Sequence, residues 1–164
     1  MNRRDCLLAA GAALPALWSG ARADGVPASP GESVPWPAPL PLLDGSTWQP
    51  RDGLAQIVVF WSTTCPFCRR HNVHVEQLHR ALAGRSAAVL SAARDADPAL
   101  VRRVAAERGY TFPISMAWRD LAAALSRRNV IPLTVTVDRG GRLRQVIPGE
   151  MFEADVIELA TLAG

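Results

Sequence analysis

The strongest hydrophobic signal in the chain is Ile57-Val58-Val59-Phe60, an unbroken apolar run within Gln56 to Trp61. A run without alternation suits a central strand covered on both faces. Downstream, Val75, Leu78 and Leu82 recur at helical spacing, with Gly84 as a stop. Ala87 to Ala92 is a second apolar run and predicts another strand. Asp97-Pro98 reads as an N-cap followed by proline at the first helical position. Leu100, Val101, Val104 and Ala105 form the apolar face of that helix, and Gly109 ends it. Phe112 to Met116 predicts a short strand, and Leu121 to Leu125 a helix ending near Asn129. Leu133-Thr134-Val135-Thr136-Val137 alternates as a strand, Asp138 to Gly141 turns, and Arg142 to Ile147 pairs back as a hairpin. Glu153 to Leu162 predicts a closing amphipathic helix.

Strands alternating with helices, then a hairpin and a helix, predict an α/β sandwich with a mixed central sheet flanked by helices. The chain has no internal repeat. Ahead of the domain, Asp24 to Pro41 holds six prolines with glycine and serine among them. Residues 24–35 are therefore expected to be a Pro-rich linker or peripheral arm, and 36–164 the folded domain. Leu40 to Leu43 and Asp44-Gly45-Ser46 read as a short strand and turn leading to Trp48.

The 164 residues allow one domain with a full core and hardly two. With 49% hydrophobic and 20% charged residues, the composition disfavours disorder and membrane embedding. The net charge of +3 is partly a property of the first 23 residues, where Arg3, Arg4 and Arg22 face Asp5 alone. The rest carries about +1, which removes the main support for a nucleic-acid partner.

Residues 1–23 read as an export signal. Arg3 and Arg4 precede the apolar run Leu7 to Trp18, and Ala21-Arg22-Ala23 offers a cleavage site between small residues. The run is shorter than the roughly 17–25 residues of a membrane span, so no stable span is expected in the mature chain. A buried N-terminal helix is the rival reading. The paired arginines also fit a twin-arginine signal, and the residues do not separate that route from the general secretory one. The expected location is the periplasm.

Cleavage after Ala23 would remove Cys6 and leave Cys65 and Cys68. A bridge across so short a loop removes little chain entropy, so this pair is a poor staple and a good switch. It sits where the buried strand ends and a helix begins. Cys65 would lie at the helix N-terminus, where unpaired amides and the macrodipole favour a thiolate, and Arg69 and Arg70 add positive charge. That thiolate would attack a partner sulfur, and Cys68, one turn on, would resolve the mixed disulfide. A CxxC also fits half a zinc site. With no second cysteine pair, closing it would need His71, His74 or His79; the first two lie on the same short helix, a strained arrangement. No metal is assigned, and no cofactor beyond the redox-active Cys65–Cys68 disulfide.

The combination of Phe60-Trp61, Cys65-Pro66-Phe67-Cys68 and Ile131-Pro132 resembles the thioredoxin-like superfamily, and within it the exported TlpA/ResA-type and cytochrome-c-maturation thioredoxins. The resemblance runs from about Trp36 to the end. It implies a thioredoxin fold with an extra strand–helix unit, roughly Ala87 to Gly109, between the CxxC and the proline. It also implies a cis bond before Pro132, whereas the residues alone suit a trans proline opening an edge strand equally well. The family pattern places this loop opposite the cysteines, with the backbone of Ile131 pairing with the partner polypeptide.

Trp61, Pro66, Phe67, Ile131 and Pro132 are accordingly expected as the walls of the site, Trp61 as floor or wall and Phe67 as an exposed apolar contact. The sequence departs from the family at Val59, where plain thioredoxins often have aspartate, and at Thr64, where tryptophan is usual. Leu133 stands in place of a common threonine, and His71 in place of a frequent glutamate. His71 shares a helix face with Cys68 and is the candidate proton shuttle, with a space-filling histidine as the plain alternative. His74, His79 and the pairs Arg102-Arg103 and Arg127-Arg128 read as solvated helix positions. The resemblance implies thiol–disulfide exchange with cysteine-bearing envelope proteins, as a reductant fed by a membrane thiol carrier. A disulfide oxidase or isomerase of the same fold is the close alternative, and a Cu(I)-binding metallochaperone using His71 a more distant one.

Overall fold

A computed structural model describes residues 27–163. The export signal expected in residues 1–23 lies outside the described residues. The main sheet has five strands in the order β5-β4-β3-β6-β7. At its centre is β3 (Ala55–Trp61), every residue of which is buried, as its unbroken apolar run requires. It pairs in parallel with β4 (Ala87–Ala93) and antiparallel with β6 (Leu133–Val137). The edges are β5 (Ile114–Ser115), parallel to β4, and β7 (Leu143–Pro148), the antiparallel hairpin partner of β6. The sheet is therefore mixed, with β4 and the helix after it inserted between the cysteines and Pro132, as expected.

Side-chain alternation divides the core between the two faces. Ile57, Val59 and Trp61 of β3 join α1 (Pro66–Ala81), α2 (Pro98–Arg108) and α4 (Glu153–Glu158) in one apolar cluster. Val58 and Phe60 join α3 (Trp118–Leu125) in the other. The alternation in β6 has the same cause: Leu133, Val135 and Val137 pack in the α3 cluster, and Thr134 and Thr136 take the opposite face. Asp97 caps α2 through its side chain on the Ala99 amide, and Gly109 closes it at φ 67°. That left-handed position favours glycine.

One element differs from expectation. The final helix stops at Glu158, and Leu159–Ala163 continues as a 3-10 turn. Of the linker and the peripheral arm that the proline-rich stretch allows, the described part of it lies along the domain as an arm. Gly31 and Val34 donate backbone hydrogen bonds to Leu143 and Gly141 at 2.7 and 3.0 Å, and Val34 is buried. The chain then crosses the α3 face of the sheet through Leu40, in the small strand β1 (Leu40–Pro41) that pairs with β2 (Thr47–Trp48). Leu43 bonds to Ile114 at the opposite edge. This strap covers apolar surface and occupies unpaired groups at both sheet edges, which is why proline-rich composition did not make it a free spacer.

Candidate active site

The site forms at the carboxyl end of β3, where the chain turns into α1. Cys65 is the N-cap of that helix and Pro66 its first residue, so the amide that proline lacks is one the helix would not have used. The Cys68 backbone N–H points at Cys65 Sγ at 3.2 Å. Both cysteines are free thiols here, Cys65 half-buried and Cys68 buried completely. Burial, followed by the neighbouring Cys65 sulfur, pushes the Cys68 thiol up to about 12. At neutral pH one sulfur is accessible and faces an amide donor, and the other is a shielded thiol. This is the asymmetry that stepwise exchange requires.

The loop entering the helix is fixed from β4. The Asp95 carboxylate accepts from the Thr63 amide at 3.0 and 3.2 Å and also from the Thr63 hydroxyl. The parallel register pairs Trp61 with Ala93, so Thr63 and Asp95 leave their strands side by side. Across the site, the Ile131–Pro132 bond is cis, and the Ile131 carbonyl oxygen lies 3.9 Å from Cys65 Sγ. Pro132 itself is buried, and its carbonyl accepts from Gly149 at 2.8 Å. Ile131 is half-buried beside Cys65.

Pro66 and Phe67 are exposed, Phe67 by 54%, with the Arg70 guanidinium 5.0 Å above its ring. Trp61 is not open to the site as a wall would be. It is fully buried in the same cluster as Cys68, its indole N–H donates to Ser91 Oγ at 3.2 Å, and Tyr110 packs edge-on at 5.8 Å. It is core beneath the site, not a wall open to substrate.

His71 is also fully buried, but neither ring nitrogen hydrogen-bonds Cys68. Nδ1 accepts from the Met151 amide at 3.3 Å, and Nε2 lies 3.1 Å from Thr134 Oγ1. The amide can only donate, so Nε2 carries the ring proton and donates to the threonine. Burial, with a smaller contribution from His74, lowers the His71 pKa to about 4. The geometry is that of a neutral tie between α1, β6 and the loop after β7, and a direct proton relay to Cys68 is absent from it. The same loop is held by Glu150, whose carboxylate accepts from Arg70 Nε and a terminal nitrogen at 2.7 and 2.6 Å.

His79 is not the solvated position expected: it is half-buried, 6.5 Å edge-on from Phe112. Arg127 and Arg128 lie beyond the end of α3, not on a helix face. Asp95, Thr134, Glu150 and Met151 also hold the site and were not among the expected residues. Only Asp95 left a signal, an acid two residues beyond a strand parallel to the one bearing the cysteines.

The chain matches no model of a known protein family. Over 98 residues it is 30% identical to the thiol-disulfide oxidoreductase ResA of Geobacillus kaustophilus, a match covering 59% of this chain and 56% of the relative. The matched region is thus little more than half the length of that relative. A thioredoxin-family thiol:disulfide interchange protein from Chlorobium tepidum superposes with a TM-score of 0.68 at 25% identity, covering 86% of this chain and 99% of the other. StoA from Bacillus subtilis gives a TM-score of 0.68 at 19% identity, over 79% and 99% of the two chains. By fold the chain is thioredoxin-like, and in sequence it is similar to thiol-disulfide oxidoreductases of the ResA kind.

Proposed function

We propose that the protein is a thiol–disulfide oxidoreductase that reduces disulfides in other proteins of the cell envelope. The observation that carries this reading is the unequal pair: Cys65 accessible at a helix start, Cys68 shielded one turn later and held as a thiol. Cys65 attacks the client disulfide, expelling one client sulfur as thiolate and forming a mixed disulfide. Cys68 then gives up its proton and attacks Cys65 Sγ. The second client sulfur leaves, and the Cys65–Cys68 disulfide remains. The client gains two electrons and the pair loses two. A membrane thiol carrier would return them, and the signal-like first 23 residues support export to the periplasm. Candidate clients are apocytochrome c cysteines and the cysteines of metal-site proteins.

Direction depends on what holds the reduced form. Strong oxidants of this class owe their potential to a stabilised reduced state. Here the helix start, one amide at 3.2 Å and the Arg70 charge act on Cys65 alone, and Cys68 is buried without charge. Only one of the two sulfurs is stabilised in the reduced form, which supports a potential on the reducing side. The copper reading is weaker because His71, its third ligand, has both nitrogens engaged by Thr134 and Met151. Equilibration with glutathione is expected to give a potential near the −270 mV typical of thioredoxin. A value near about −120 mV, that of the strong periplasmic oxidants, would reverse the direction.

A further inference from the structure

Beside the exchange site lies a second concave surface that the chemistry above leaves unused. It is a cavity of about 410 Å³ between α3, the loop after it and the start of β6. Phe60 and Leu133 form its apolar floor and Trp118 a wall. Its rim is basic. The guanidinium groups of Arg94 and Arg119 each stand 4.6 Å from the Trp118 ring centroid, so two positive charges share one indole. Arg128 is a third. No aspartate or glutamate lines the cavity, and among the described residues none of these three arginines makes an ion pair. Arg94 donates to the Asn129 amide oxygen, a neutral partner that leaves its charge uncompensated. Nearby Asp95 is committed to Thr63.

The cavity borders the loop that faces Cys65. Val130 and Leu133 line it and bracket Ile131–Pro132, and the Ile131 carbonyl is 3.9 Å from Cys65 Sγ. On the other side, the Arg94 amide donates to the Trp61 carbonyl, which follows Phe60 out of β3. An extended chain advances about 3.3 Å per residue. A polypeptide joined to Cys65 and running along residues 130–133 would therefore bring side chains two to four residues from its cysteine over the cavity.

From this we infer that the cavity is the client-recognition subsite, and that it takes an acidic segment of the client polypeptide bearing an apolar or aromatic side chain near the reactive cysteine. The apolar side chain would fill the floor, and one or two carboxylates would meet the arginine forks, a geometry suited to bidentate hydrogen bonds. The inference rests on the disulfide-exchange reading and names the client chemistry that reading leaves open.

The test uses peptides whose cysteine carries a 2-thiopyridyl disulfide. Attack by Cys65 on the peptide sulfur joins peptide to protein and expels 2-thiopyridone, read by its absorbance. One peptide has phenylalanine flanked by two glutamates, three residues from the cysteine; its twin has glutamines. Hydroxyethyl disulfide, small and neutral, reports exchange alone. The wild type is expected to favour the acidic peptide about tenfold, as one net charge-assisted contact allows. That ratio is expected to fall to about one in Arg119→Gln/Arg128→Gln. It should persist in Arg102→Gln/Arg103→Gln, which removes the same charge from α2. Each variant is compared by circular dichroism, and Arg119→Gln alone, expected to fall between, serves if the double variant unfolds. Equal rates for the two wild-type peptides, or equal loss of preference in both double variants, would overturn the subsite while leaving exchange standing. Failure to react with hydroxyethyl disulfide would instead sink the exchange reading.

Discussion

Cys65→Ser is expected to bring disulfide reduction down to the rate of the buffer control, and Cys68→Ala is expected to arrest it at a trapped mixed disulfide. The two outcomes differ because the two sulfurs do. A serine hydroxyl does not ionise at neutral pH, so the first variant has no nucleophile to replace an accessible Cys65. Cys68 is fully buried and its thiol is pushed up to about 12, so it cannot take over the first attack. With Cys68 gone, Cys65 still attacks once, but nothing one turn away can release the client. The readout is insulin turbidity with dithiothreitol for the first variant, and a protein–peptide adduct on a non-reducing gel for the second. Residual turnover in Cys65→Ser, with adduct at Cys68, would reverse the assignment.

The second large effect is on stability. His71 is neutral in the fold, its pKa lowered from 6.5 to about 4 chiefly by burial. A base whose folded pKa is depressed contributes stability that is complete above 6.5 and is lost as pH falls toward 4. The gap corresponds to about 3 kcal/mol, a large part of the roughly 5–15 kcal/mol that holds a domain folded. Glu150, facing it from the loop after β7, works the other way, and His74 adds to the lowering. His71→Gln can keep an acceptor for Met151 and a donor for Thr134 without a group that titrates here. Urea unfolding at pH 6.5 and 4 is expected to show wild type losing about 3 kcal/mol more than this variant. Equal losses would mean that His71 is not held neutral by its burial.

Much of the fold was legible because its signals are local. The unbroken Ile57–Phe60 run reports burial on both faces, Asp97-Pro98 and Gly109 mark the two ends of α2, and the Thr alternation of β6 reports one apolar face. Cys65 and Cys68 could be placed because a strand end and a helix start fix both positions. What could not be read depends on distant partners. Trp61 reads as floor or wall because it precedes the cysteines, and only the distant partner decides: its indole finds Ser91 thirty residues away and stays inside. His71 shares a helix face with Cys68, but Thr134 and Met151, 63 and 80 residues on, claim both its nitrogens. The proline-rich strap hid its role because its partners, Leu143 and Ile114, lie on opposite edges of a sheet formed later in the chain.

The mechanism depends on one chemical difference, that of the pair Cys65 alone is available to start the reaction. The direct measurement is limited alkylation of the reduced native protein at pH 7 with substoichiometric iodoacetamide, mapped by peptide mass spectrometry. The label is expected on Cys65, with Cys68 reacting only after denaturation. Label on Cys68 at comparable yield in the folded protein would contradict this mechanism.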